Sequence, residues 1–153
     1  MKYLILTVLL AFTCNADAKH KVVKTVPAFS AKSFIVATED GTILQEQDSN
    51  TVRPIASISK MMIALLASEQ DLDELLSIPN KRQVQSSIPR KLSQLKRKEL
   101  LTLALVRSDN FAAQILCNNI PDCIERMNSK AQELGMLDTS FEEPTGLSKE
   151  NVS

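Results

Sequence analysis

The chain has 153 residues, enough for one ordinary domain, and 44% of them are hydrophobic, so a core can form. Its 18 basic and 18 acidic residues give a formal charge of zero, which provides no global field to attract nucleic acid or an anionic membrane. Three glycines and one histidine exclude a glycine-rich phosphate loop and a two-histidine zinc site, and any catalytic triad would have to use His20.

The first segment in chain order has the features of a secretory signal peptide. Lys2 supplies a positive charge, and the apolar run from Tyr3 to Thr13 is too short to cross a hydrocarbon core of about 30 Å as a helix. Ala16-Asp17-Ala18 fits the small-residue cleavage site that follows such a run. We therefore predict a signal peptide over residues 1–18 and a mature chain at residues 19–153 outside the cytoplasm; an uncleaved anchor is the alternative.

An Asp-Gly pair at residues 40–41 lies between two β-prone runs. Asp-Gly between such runs is a strong hairpin signal, because glycine accepts the positive φ that a tight turn needs. The pattern predicts strands near 33–38 and 42–47.

Helical patterns follow the predicted hairpin. The first, after Pro54, has apolar residues at helical spacing and predicts a central, buried helix with these residues on its inner face: Ile58, Met61, Met62, Leu65 and Leu66. Further helices are predicted at 97–107 and 109–118. A third is predicted to start at Pro121, a favoured first-turn residue, and to stop at Gly135, a favoured C′ residue. A hairpin followed by several helices indicates the α+β class.

Residues 79–98 carry seven basic residues and no acidic one. We interpret this run as a solvated surface, with attraction to an anionic polymer as the alternative. Nucleic-acid binding is disfavoured by the neutral overall charge and the predicted secretion signal.

Two cysteines remain after the predicted signal peptide, Cys117 and Cys123. In an oxidising compartment an even pair favours a disulfide. The residues between them include Pro121 and are typical of a break between helices. We predict a short link between two helix ends; two buried free thiols are the alternative.

A hydroxyl and an amine lie one helical turn apart at Ser57 and Lys60. A serine at a helix start favours a developing oxyanion, and a nearly buried lysine loses charge stabilisation and can act as a base. This is nucleophilic catalysis without histidine; a capping serine beside a surface lysine is the alternative. Ser59 lies about 200° from Ser57 on a helical wheel and should face elsewhere.

Ser108-Asp109-Asn110 lies at the junction of two predicted helices. The Ser108 hydroxyl could relay a proton between Lys60, Ser57 and a leaving amine, and the Asn110 amide could bind a substrate amide. Ordinary helix capping explains the same tripeptide, because serine, aspartate and asparagine all favour that position.

Ser-x-x-Lys together with Ser-Asp-Asn occurs in class A β-lactamases and penicillin-binding proteins. The chain resembles, more specifically, the S11 serine peptidases, which are low-molecular-mass D-alanyl-D-alanine carboxypeptidases and endopeptidases, and within them the periplasmic endopeptidases. The resemblance rests on four segments in the same order: Arg53 to Met62, Arg97 to Leu101, Lys130 to Met136 and Glu143 to Ser148.

The resemblance implies a β-lactamase/transpeptidase-like fold and a periplasmic enzyme that acts on peptidoglycan peptides and is acylated by β-lactams. It implies Ser57 as the nucleophile, Lys60 as its base, Ser108 in proton transfer and Asn110 in substrate binding. It implies no cofactor and no metal, and no transmembrane span after signal cleavage. Whether the activity is that of a carboxypeptidase or an endopeptidase stays open.

The sequence departs from the family pattern in one motif. The family carries Lys-Thr-Gly on a downstream strand, and no Lys-Thr-Gly occurs here; residues 144–146 read Pro-Thr-Gly. We therefore expect a partial domain, a β-hairpin plus a helical cluster, without the C-terminal sheet strands. Such a hairpin would have an unpaired edge, which a second chain or self-association could complete. The alternative function is a non-catalytic truncated homologue, or a cell-wall or β-lactam-binding remnant.

Overall fold

The structure is a computed structural model that describes residues 30–80 and 85–153. The chain divides into two compact units, residues 1–47 and 48–153. The predicted signal peptide and His20 lie outside the described residues. Within those residues, no helix is both long enough and apolar enough to cross a membrane.

The described part of the first unit is an antiparallel hairpin. Strand β1 (Phe34–Ala37) pairs with strand β2 (Ile43–Gln47), and Phe34 lies opposite Gln47. The turn contains Gly41 at a φ of 86°. Since glycine adopts that conformation without a steric cost, the Asp-Gly signal placed the turn correctly and the hairpin is confirmed.

The described part of the second unit contains four α-helices and a short two-stranded sheet. In chain order these are α1 (Ser59–Ser68), β3 (Leu75–Ser77), β4 (Gln94–Lys96), α2 (Arg97–Val106), α3 (Asn110–Asn118) and α4 (Cys123–Glu133). Strands β3 and β4 are antiparallel, and each has only three residues, too few for an alternating pattern to predict them. The α+β class is confirmed.

Helix α4 starts two residues later than predicted and stops where predicted, with Leu134 as its C-cap and Gly135 as the next residue. It begins at Cys123 rather than Pro121, because Asp122 before it has a left-handed φ of 49°. It ends at Glu133, and Gly135 follows with a φ of 75°. That is the conformation in which helices commonly stop.

The inner face of α1 has the predicted spacing but is displaced by one residue. The buried residues that keep this spacing are Ser59, Met62, Ile63, Leu66 and Ala67; Lys60 and Ala64 are buried as well. By contrast, the predicted inner residues Ile58 and Met61 are 62% and 66% exposed. Residues 61–67 are apolar on every side, so periodicity alone could not determine which face turns inward. The rest of the core comes from α2, α3, α4 and the β3–β4 sheet: Leu76, Leu100, Ala112, Leu116 and Met127.

The solvated-surface interpretation of residues 79–98 is wrong for Arg97, which is 2% exposed. Its guanidinium donates to the Asp71 carbonyl at 3.0 Å and pairs with the Glu74 carboxylate. Lys96 and Lys98 remain at the surface and both pair with Asp73. The basic run therefore anchors the start of α2 to the loop between α1 and β3.

A disulfide joins Cys117, near the end of α3, to Cys123, the first residue of α4. The two cysteines are six positions apart, and both are buried. The bond closes the short connection between the two helices.

We expect the Cys117→Ala/Cys123→Ala double variant to lose about 2 kcal/mol of unfolding free energy, because a closed loop of this length restricts the unfolded chain by roughly that amount. Urea unfolding of the oxidised protein, the reduced protein and the variant measures the loss. Alkylation without reduction should modify neither thiol in the oxidised protein. Uptake of two alkylating groups by the folded, unreduced mature chain would contradict the prediction.

Candidate active site

Ser57 is exposed where a 3-10 turn, Ala56–Ile58, leads into α1. Ala56 has a φ of 47°, a left-handed conformation that costs a residue with a side chain about 1–3 kcal/mol. The Ser59 hydroxyl donates to the Ala56 carbonyl at 2.8 Å. The Ser59 hydroxyl therefore holds the strained turn in place, and Ser57 remains exposed.

Lys60 lies one turn along α1 and is only 2% exposed. Its Nζ donates to the Ser57 hydroxyl at 3.1 Å and to the backbone carbonyl of Thr145 at 2.6 Å. Burial lowers the pKa of the amine, and the negative charges of Glu143 and Asp109 oppose that shift without cancelling it. The pKa of Lys60 is therefore below its ordinary value of 10.5.

The neutral form of Lys60 suits this geometry. A neutral amine has two N–H groups and one lone pair. If one N–H stays on the Thr145 carbonyl, the lone pair can turn to the Ser57 Oγ, which is 3.1 Å away. That separation is within the reach of a general base. The arrangement can therefore accept the Ser57 proton.

Residues 143–148 close against the back of the Ser57 turn. Gly146 has a φ of 80°, and a Cβ added there would lie 1.8 Å from the Ala56 carbonyl oxygen and 2.8 Å from the Ser57 nitrogen. Both atoms belong to the backbone and cannot move aside as a flexible side chain could. Glycine is therefore required for the two segments to approach this closely.

Asn151 connects this segment to α1. Its Nδ2 lies within hydrogen-bonding distance of the Ser59 hydroxyl at 2.9 Å and the Glu143 carbonyl at 2.8 Å. Ser59 faces away from Ser57 as expected, but it is fully buried and linked in this way to the C-terminal segment. The backbone N–H of Ile55 donates to the Asn151 carbonyl at 3.0 Å. The turn before α1 is thus fixed by residues more than 80 positions away in the chain.

Asp109, the middle residue of the Ser-Asp-Asn motif, has a structural role. One oxygen of Asp109 accepts the Ala112 N–H at 2.9 Å and caps α3. The other accepts from the hydroxyls of Ser86 and Ser87 and from the Ser87 N–H, at 2.6–2.9 Å. Burial raises the pKa of Asp109, but these hydrogen bonds outweigh it and lower the pKa below 3.8. The ionised carboxylate holds the 86–87 loop against the start of α3.

Ser108 and Asn110 line a cleft of about 310 Å³ together with Gln85, Ser86, Ser87, Arg107 and Asp109. Ser108 is exposed and has a left-handed φ of 51°. In the described part of the chain, no hydrogen bond joins the side chain of Ser108 or Asn110 to Ser57 or Lys60. The structure therefore brings the Ser57–Lys60 pair into contact and places Ser108 and Asn110 together in the cleft.

Sequence reasoning missed three contributors to this site: the Thr145 carbonyl, Glu143 and Asn151. A backbone carbonyl has no side-chain signature, so no motif could reveal the first. Glu143 and Thr145 fall in one of the segments that carry the family resemblance, but nothing in their residue types indicated contact with Lys60. Among residues 30–80 and 85–153, no group of three or more His, Cys, Asp or Glu side chains is placed to hold a metal ion.

Residues 20–153 match the profile of the S11 peptidase family, described as D-alanyl-D-alanine carboxypeptidase. The chain belongs to this family. It is 41% identical to the D-alanyl-D-alanine endopeptidase of Escherichia coli K12 over 81% of its own length, and 36% identical to that of Pseudomonas aeruginosa over 99%. The matches span 43% and 52% of those relatives, so the chain covers about half of their length.

Solved structures of penicillin-binding proteins and D-alanyl-D-alanine carboxypeptidases have a similar fold. Penicillin-binding protein D2 of Listeria monocytogenes, in its ampicillin-bound form, superposes with a TM-score of 0.75 at 30% identity, over 85% of this chain and 59% of that one. A D-alanyl-D-alanine carboxypeptidase of Mycobacterium tuberculosis H37Rv gives 0.75 at 28% identity, over 84% and 53%. The prediction of a partial transpeptidase-like fold, a hairpin plus a helical cluster, is confirmed.

Proposed function

We propose that the protein is a serine-type D-alanyl-D-alanine peptidase that cleaves peptidoglycan peptides through an acyl-enzyme on Ser57. The contact between the exposed Ser57 hydroxyl and the buried Lys60 amine carries the proposal. Relatives named D-alanyl-D-alanine endopeptidase and a neighbour bound to ampicillin supply the substrate class and the β-lactam probe.

In the proposed reaction, neutral Lys60 takes the Ser57 proton as Oγ attacks the carbonyl carbon of the D-alanyl residue. The C–N bond then breaks, and the amine leaves with a proton returned from Lys60 through the Ser108 hydroxyl. Asn110 binds a substrate amide in the cleft that it shares with Ser108. Water afterwards attacks the Ser57 ester, which releases the acid product and restores the hydroxyl.

The proposed location is the periplasm, after removal of residues 1–18 as a signal peptide. A non-catalytic homologue that binds cell-wall peptides or β-lactams without turnover is the second candidate. The given sequence contains no Lys-Thr-Gly, the motif that supplies an oxyanion donor and a cationic group in the resembled family.

A fluorescent penicillin tests the proposal, since β-lactams acylate the serine of Ser-x-x-Lys in the resembled family. We expect covalent labelling of the wild-type protein and none of Ser57→Ala. Ser68→Ala is the matched control, because Ser68 is an exposed serine at the other end of α1 and should label like the wild type. Gel fluorescence measures the yield, and peptide mass spectrometry locates the adduct.

Two results would contradict the proposal in different ways. A folded wild-type chain that takes up no label at high probe concentration would remove the enzymatic function and favour the non-catalytic candidate. Labelling that survives in Ser57→Ala would show that a different residue is the nucleophile.

A further inference from the structure

One carboxylate organises the whole segment that meets Lys60. Glu143 accepts the Thr145 N–H at 2.7 Å and the Gly146 N–H at 2.5 Å. It also accepts the Thr145 hydroxyl at 2.5 Å and, more weakly, the Ser148 N–H at 3.3 Å. The Asn151 amide donates to the same carboxylate at 3.1 Å. Five donors converging on one side chain fix the path of this backbone.

The segment that Glu143 fixes contains the second hydrogen-bond partner of the Lys60 amine, the Thr145 carbonyl. The same Thr145 whose N–H and hydroxyl bind Glu143 turns its carbonyl to Lys60 Nζ at 2.6 Å. The next residue, Gly146, lies against the peptide between Ala56 and Ser57. The direction of the amine therefore depends on a loop whose shape Glu143 holds.

Charge couples the two groups as well. In the part of the chain that the structure describes, the carboxylates of Glu143 and Asp109 act on Lys60, and both favour its protonated form against the effect of burial. Burial raises the pKa of Glu143, but the bonds from Thr145, Ser148 and Gly146 outweigh it and lower the pKa below 4.5. Glu143 is therefore an anion at neutral pH and opposes the loss of the proton from Lys60.

We propose that Glu143 is a positioning residue for Lys60 as the base of the function proposed above, on which this role depends. Its carboxylate holds the Thr145 carbonyl where it orients the amine toward Ser57. Its negative charge opposes the loss of the proton from Lys60. Glu143 itself touches neither Ser57 nor the substrate in this scheme.

The decisive measurement is an NMR titration of the Lys60 Cε signal in protein labelled with ¹³C-lysine, assigned with Lys60→Met. In the wild type we expect the main inflection below pH 10.5 and a smaller step below pH 4.5, where Glu143 takes up a proton. In Glu143→Gln the main inflection should move to lower pH, since a charge that favours the ammonium is removed, and the acid step should shrink or vanish.

Glu142→Gln is the matched control. Glu142 is exposed and belongs to the same loop, and among residues 30–80 and 85–153 its carboxylate bonds only the Ser148 hydroxyl. We expect its Lys60 titration to match that of the wild type. Because this readout needs no acylation, it decides the coupling of Glu143 to Lys60 even if Ser57 is never labelled.

The pH dependence of labelling is the second readout. Glu143→Gln should label with a limiting rate about 10–100-fold lower, because a displaced base loses its alignment, and its profile should move to lower pH in step with Lys60. A rate loss with an unmoved profile and an unmoved Lys60 inflection, in a folded variant, would overturn the proposal.

If Glu143→Gln does not fold, the wild-type titration of Lys60 tests whether Glu143 acts on the amine. Asp109 also acts on Lys60, so the acid step is measured again in Asp109→Asn. A step that persists there supports Glu143 as its source. A step that is missing from the wild type, or lost in Asp109→Asn, would overturn the proposal.

Discussion

Replacing Lys60 with methionine is expected to lower the rate at which a β-lactam acylates Ser57 by about 10²–10⁴-fold, the usual contribution of a general base. Methionine keeps most of the apolar stem in a site that is 2% exposed, but it supplies no lone pair of an amine to accept the serine proton. Stopped-flow or gel-based labelling at a series of pH values measures the loss. The wild-type rate should rise with pH and level off above the lowered pKa of Lys60, whereas the variant should lack that rise.

Lys60→Arg separates basicity from charge. Arginine remains protonated at every accessible pH, so the variant should also lose the pH-dependent rise while it retains a cation. Lys149→Met is the matched control, because Lys149 is an exposed lysine in the C-terminal segment and should label like the wild type. Wild-type labelling by folded Lys60→Met would show that another group removes the proton.

Adding one methyl group at Gly146 is expected to destabilise the second unit by roughly 2–5 kcal/mol. The new Cβ would lie 1.8 Å from the Ala56 carbonyl oxygen, and relief requires movement of the backbone beneath Ser57. Overpacking of this kind costs about 1–3 kcal/mol, and a left-handed alanine adds roughly another 1–2. Urea unfolding of Gly146→Ala against the wild type measures the change.

Gly135→Ala is the matched control for that variant. Gly135 has a similar φ of 75°, but an added Cβ there would meet no atom within 4 Å. Only the backbone penalty of about 1–2 kcal/mol should appear. Equal losses at the two glycines would mean that the packing of Gly146 against the Ser57 turn contributes nothing to stability. We also expect slower Ser57 labelling in Gly146→Ala alone, because its relaxation displaces the peptide of Ser57.

Several features of the fold followed directly from local patterns. The Asp-Gly pair predicted the hairpin because a tight turn needs a residue that accepts a positive φ, and Gly41 supplies it. The ends of α2 and α3 fell within one residue of prediction. Strands β3 and β4 were not predicted, because a strand of three residues gives no periodic signal. Each is a strand only because it pairs with the other.

The inner face of α1 shows where local pattern is insufficient. The spacing of its buried residues was correct, yet Ile58 and Met61 are exposed and Ser59 is buried. In a segment that is apolar all round, the choice of face is made by the surrounding structure. Asn151 binds Ser59 from the C-terminal segment, and the core from α2, α3 and α4 receives Ile63 and Leu66. None of those partners is near in sequence.

By itself, the sequence determined that a hydroxyl and an amine share one turn at Ser57 and Lys60, because three positions along a helix bring side chains together whatever surrounds them. Only the tertiary structure decided what holds the amine and how far it is buried. The Thr145 carbonyl lies 85 positions from Lys60 in the chain. A contact between groups so distant in sequence forms only when the chain folds. Folding also brings the Glu143 carboxylate close enough to Lys60 for its charge to act on the amine.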